Sequence, residues 1–137
     1  MKILIAMAAL AALPLGAAAQ QLAMQDSGGV RWVCGGVGDE ERESLAALES
    51  QANLSITFAA GKRGAYLADV QMSLYGAGAK SPSLDIKTDG PICLLHAAPG
   101  RYRIEASFNG AKRSADATVA ADAKRPVRVV LVFPEQE

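Results

Sequence analysis

Side chains that carry chemistry are scarce in this chain. It holds one histidine, His96, two cysteines, Cys34 and Cys93, and one tryptophan, Trp32, and aromatics make up 5% of its 137 residues. Cys93-Leu-Leu-His96 has ligand-like spacing, but with Cys34 it still falls short of the four ligands of a structural zinc site. No Gly-x-Ser-x-Gly elbow, no P-loop lysine and no dinucleotide fingerprint is present, which removes the usual nucleophile and phosphate-cradle motifs. Charge of one sign is lacking too, with 14 Lys and Arg against 14 Asp and Glu. Binding to nucleic acid or an anionic membrane needs clustered positive charge interleaved with stacking groups, and no such stripe exists here. Beyond the first residues, no apolar run is long enough to span a bilayer.

What is there begins with an export signal. Lys2 supplies a positive charge, Ile3 to Leu13 is an unbroken apolar run, and Ala17-Ala18-Ala19 offers the small-x-small pattern read by a signal peptidase. The run is shorter than the ~20 residues of a spanning helix, so residues 1–19 read as a signal peptide cleaved after Ala19. A periplasmic protein of about 118 residues remains, enough for one domain with a single core, carrying roughly one net negative charge. Residues 20–29 are polar, contain a glycine pair and have no period, so they read as a flexible mature N-terminus. The domain proper is expected over 30–134.

An even number of cysteines in an oxidising compartment favours a disulfide, Cys34–Cys93. Closing a loop of that size stabilises by about 4 kcal/mol in the chain-entropy model. The bridge would tie the segment before a helix to the strand after Asp89-Gly90-Pro91. Its rival is a metal site of Cys34, Cys93 and His96.

Periodicity then sets the fold class. Val30 to Val33 is a short strand, and Asp39 caps a helical stretch to about Ala52, with Leu45, Leu48 and Ala52 on one face. From Leu54 the pattern alternates: Leu54-Ile56-Phe58, then Tyr66-Ala68-Val70-Met72-Leu74 as one longer strand, then Leu84-Ile86. Ile92 to Leu95 is apolar on both parities, as in a strand buried on both faces. Tyr102-Ile104-Ala106-Phe108 and Ala115-Ala117-Val119 flank Asn109-Gly110, the strongest short hairpin signal. That two-residue loop pairs Phe108 with Ala111 and, counting outward, Arg103 with Asp116. Val127, Val129, Leu131 and Phe133 complete the domain. About seven strands with regular turns predict a mainly β, antiparallel sandwich of transthyretin or immunoglobulin type, with one short helix near the mature N-terminus.

Pro99-Gly100-Arg101-Tyr102-Arg103-Ile104-Glu105-Ala106, Asn109-Gly110 and Val127-Arg128-Val129-Val130-Leu131 together resemble the carboxypeptidase regulatory-like domain, a transthyretin-like sandwich. Gly35-Gly36-Val37-Gly38 with Glu40 and Glu41, and Tyr66-Leu67-Ala68-Asp69-Val70, are similar to a group of small exported proteobacterial proteins of uncharacterised function that carry this domain. The resemblance implies no catalytic residue. The transthyretin-like hydrolase of purine breakdown needs several histidines and a tyrosine-arginine-glycine-serine end, and here the chain stops at Phe133-Pro134-Glu135-Gln136-Glu137.

Four constellations remain to weigh. The Gly35–Gly38 loop before a helix offers amide groups to an anion, but Asp39, Glu40, Glu41 and Glu43 repel one. His96 is the one candidate general base. Asp69 with Asp85 or Asp89 is a candidate carboxylate pair, although calcium-loop spacing is missing and Asp89-Gly90 reads as a turn. Trp32 and Tyr75 are candidate stacking residues for a carbohydrate, with core packing the simpler role for a lone tryptophan. No residue is assigned a catalytic, cofactor or metal role. The expected function is a non-catalytic periplasmic accessory or protein-interaction module acting on another envelope protein. A small-ligand or carbohydrate binder comes next, ahead of a metal-binding protein or hydrolase.

Overall fold

A computed structural model describes residues 22–121 and 125–134. The expected signal peptide, the cleavage site expected after Ala19 and residues 135–137 lie outside the described residues. The elements are β1 (Gln25–Ser27), β2 (Val30–Gly35), α1 (Gly38–Leu48) with a 3-10 turn at Glu49–Gln51, β3 (Leu54–Ala60), β4 (Ala65–Tyr66), β5 (Gln71–Gly76), β6 (Leu84–Lys87), β7 (Ile92–His96), β8 (Gly100–Phe108), β9 (Ala111–Val119) and β10 (Val127–Phe133). They form a sandwich. One sheet runs β1-β2-β7-β3-β10, with β4 added to the end of β3, and the other runs β6-β5-β8-β9. All pairs are antiparallel except β10 with β3, which is parallel from Val127↔Leu54 to Phe133↔Ala60.

The main core is the space between the sheets. Leu54, Ile56, Phe58, Leu95 and Phe133 from the first sheet meet Met72, Leu74, Ile104, Ala117 and Val119 from the second. Alternation puts these side chains inward because successive strand residues face opposite sides. Fully burying a Leu, Ile or Phe of this kind stabilises by about 1.5–3 kcal/mol. A smaller second core lies on the outer side of the first sheet, where Leu45 and Leu48 of α1, with Ala52, cover Val33, Leu94 and Ile92. β7 is thus buried on both faces, Cys93 and Leu95 toward the sandwich and Leu94 under the helix. That accounts for its apolar residues on both parities.

Cys34 and Cys93 stand directly opposite each other in the β2–β7 ladder, with Cα atoms 4.1 Å apart, and are joined by a disulfide. The bond links neighbouring strands of one sheet rather than the two sheets. Asn109 at φ 48° and Gly110 at φ 82° make the β8–β9 turn, and the register runs as the sequence implies, Phe108↔Ala111 through Arg103↔Asp116.

Five expectations are corrected. The single strand from Tyr66 to Leu74 is two: Tyr66 pairs with Ala59 in the first sheet, while Met72 and Leu74 belong to the second. The chain crosses between sheets at Asp69, whose φ of 60° breaks the strand. The crossing is fastened by buried Thr88, whose Oγ1 accepts from Val70 N at 3.1 Å and whose carbonyl accepts from Asp69 N at 2.8 Å. Asp39 does not cap α1, which has no side-chain cap hydrogen bond among the described residues; Glu41 Oε1 reaches back to the loop before it, accepting from Gly36 N at 3.2 Å and Val37 N at 3.4 Å. The segment read as loose has partners from Leu22 on: Gln25–Ser27 pairs with β2, and Leu22 and Met24 pack on the second core. Its pairing residues are all exposed, so they leave no period to read. Finally, Arg103 forms its ion pair with Glu105 at 2.9 Å rather than with the Asp116 opposite. Ten strands stand where about seven were expected, since β1 is too short to carry alternation and β4 runs on in parity with β5 along the sequence.

Candidate functional site

The residues singled out from the sequence do not assemble. His96 is exposed on β7, on the parity opposite Cys93, and stands across from Arg31. With both cysteines in the disulfide, no thiol is left to join it on a metal. Among the described residues no group of three His, Cys, Asp or Glu is placed to hold an ion. Asp69 marks the sheet crossing, Asp89 is exposed in its turn, and Asp85 lies on β6, accepting from Gln71 Nε2 at 2.7 Å and Ser73 Oγ at 2.9 Å. In the glycine loop before α1, the amides of Gly36 and Val37 already donate to the carboxylate of Glu41, which also places a negative charge where an anion would sit. Trp32 turns inward against the main core, its indole N–H buried without a hydrogen bond, so it offers no platform to a sugar.

Two surfaces remain, one on each sheet. On the outer side of the first sheet, α1 covers β2 and β7, Ser55 and Ala59 of β3 are buried as well, and the open part is the outer parity of β10 with Tyr66 and half-buried Thr57. Cross-strand rows there read Thr57–Val130 and Tyr66–Ala59–Val132. Val130 is 60% exposed, Val132 49% and Tyr66 57%. Charged groups rim this apolar strip. Arg42 of α1 stacks over the Tyr66 ring at 5.6 Å, and Arg128 bonds Glu49 at 3.2 Å. Lys62 and Arg63, in the turn before Tyr66, enter no ion pair among the described residues. β10 is also an edge strand. Part of that edge is closed by Arg113, which sits on the inward parity of β9, donates from Nε to the Val132 carbonyl at 2.8 Å and lies 5.9 Å over the Phe133 ring. An inward-pointing charge on an edge strand is a known guard against indiscriminate strand pairing.

The outer side of the second sheet is polar, and no element among the described residues covers it. Its rows read Lys87–Gln71–Ser107–Lys112, then Asp85–Ser73–Glu105–Ser114, then Tyr75–Arg103–Asp116. Two hollows indent it, of about 330 Å³ and 440 Å³, and the side chain of Arg103 borders both.

Sequence reasoning passed over the open strip. The signal was present: Val127-Arg128-Val129-Val130-Leu131-Val132 is apolar on both parities, as in β7, yet only one helix is available to cover the sheet. Compared with known proteins, the chain matches no family model and no curated protein sequence.

Proposed function

We propose that this protein is a non-catalytic accessory module of the periplasm, exported by cleavage after Ala19, that docks another envelope protein on the open half of its first sheet. The observation that carries the reading is the exposure of Val130 and Val132 on a sheet whose other half is already roofed by α1. Scattered apolar residues on a surface are ordinary, but a row of two valines with Tyr66 beside an edge strand is a contiguous strip. The free charges beside it, Lys62 and Arg63, favour a partner that presents apolar side chains flanked by carboxylates. The proposed kinship with carboxypeptidase regulatory-like domains rests on the sequence of the proline-glycine turn before β8, where the Tyr102 hydroxyl donates to the Ala98 carbonyl at 2.5 Å.

Substitution in the native cell tests this. Val130→Asp with Val132→Asp should abolish the biological effect, while His96→Ala, Asp69→Asn and Asp89→Asn should each leave it intact. Asparagine tolerates the positive φ of position 69, so that variant keeps the sheet crossing. Loss of effect in a well-folded His96→Ala or Asp69→Asn protein would point to an enzyme or a metal site instead.

A further inference from the structure

We infer that the outer face of the second sheet is a binding trough for an oligosaccharide. Both hollows are bordered by Arg103, so they are neighbours along β8 and β9. From Arg101, which lines one, to Ser107, which lines the other, is six strand steps, about 20 Å at roughly 3.4 Å per residue. Two neighbouring hollows over that span suit successive units of a chain better than a single small molecule.

Its chemistry selects the chain. Short hydroxyl side chains, Ser73, Ser107, Ser114 and Thr118, line it, and long planar or charged groups rise beside them. Those groups are held before any ligand arrives: Arg103 by Glu105 at 2.9 Å, and Gln71 and Ser73 by Asp85. Preorganised polar groups lose less freedom on binding. A guanidinium beside a carboxylate presents donor and acceptor at one point, and a sugar hydroxyl is both acceptor and donor. Tyr75, in the same row as Arg103 and Asp116, places an apolar ring on the same face, beside the hollows rather than lining them. A simple anion is a poor match, because Arg103 is already neutralised and Asp116 stands opposite it. An extended peptide is poorer still. It would seek a free strand edge for its backbone or apolar pockets for its side chains, and the trough offers neither.

Titration of the isotope-labelled protein with chitohexaose, cellohexaose and an oligouronate, followed by amide chemical shifts, tests the assignment. At least one of the three should give saturable shifts at millimolar concentration, confined to Ser73, Ser107, Ser114, Thr118 and their neighbours. Arg103→Ala should weaken that binding by about tenfold. Ser107→Phe, which fills one hollow without removing a charge, should weaken it as well. Val130→Asp, on the other sheet, should leave it unchanged, so a failure here and a failure of the docking strip are told apart. Amide dispersion checks the fold of each variant. The trough is refuted if none of the three sugars gives saturable shifts, if the shifts fall outside the second sheet, or if an uncharged peptide of similar length binds the same face more tightly.

Discussion

Removing the Cys34–Cys93 bond is expected to lower stability by about 4 kcal/mol without changing the fold. The bond joins residues 59 apart in sequence, a loop that holds α1 and the strands β3 to β6. In the chain-entropy model, closing a loop of about 60 residues removes roughly 14 cal/mol/K from the unfolded chain, or about 4 kcal/mol at ~25 °C. The native side of the balance changes little, because β2 and β7 remain paired from Arg31↔His96 to Gly35↔Ile92 whether or not the sulfurs are joined. The effect is large against the roughly 5–15 kcal/mol that separates folded from unfolded domains. Urea titration of the oxidised protein, the reduced protein and the Cys34→Ala, Cys93→Ala variant measures it. Reduction keeps the buried sulfurs, so it isolates the cross-link, and the alanine pair adds a small loss of packing in the core. The midpoint should fall and the denaturant slope should rise, because an uncross-linked unfolded chain exposes more surface. A reduced protein within about 0.5 kcal/mol of the oxidised one would refute the reasoning. So would two free thiols in the alkylated, unreduced protein.

Three further substitutions probe other parts of the account. Asn53 is buried and its side chain stands in for a strand, with Nδ2 donating to the Ala97 carbonyl at 2.7 Å and Oδ1 accepting from Ala97 N at 3.0 Å; Asn53→Ala should lose about 2–4 kcal/mol in urea unfolding by orphaning both groups. Gly90 lies against the backbone of Gly35, where a Cβ would overlap main-chain atoms, so Gly90→Ala should be destabilising by about 2 kcal/mol or more and should shift the amide signals of the β2 end. Arg113→Ala opens the β9–β10 side, and should raise the sedimentation-detected tendency to self-associate with a stability loss below about 1.5 kcal/mol.

Much of the architecture was legible because several signals agreed. The Asn109-Gly110 turn fixes one register, and the alternation of both flanking strands fits only that register, so pairing down to Arg103↔Asp116 follows from the residues. The doubly apolar Ile92–Leu95 was similarly clear, and the even cysteine count favoured the disulfide over the metal site that the same residues with His96 could have formed. The sheet crossing at Asp69 was hidden, since Tyr66-Ala68-Val70-Met72-Leu74 keeps one apolar parity through a break in the backbone. Alternation reports which way side chains face; it does not report which sheet they face from. The role of Glu41 was hidden for a related reason, because three acidic residues fill the first turn of α1 and only geometry decides which reaches back to the loop amides of Gly36 and Val37. Neither surface was legible as a site. Val130 and Val132 become conspicuous only once α1 is seen to stop short of β10, and the trough exists only where β5, β8 and β9 lie side by side.

The docking strip is tested most directly by placing a photo-crosslinking residue at position 130 and irradiating the native cells. The account predicts one discrete cross-linked protein from position 130 and from position 132. It predicts none from position 80, in the exposed loop between β5 and β6. Absence of any product at 130 and 132, or the same product from position 80, would contradict it.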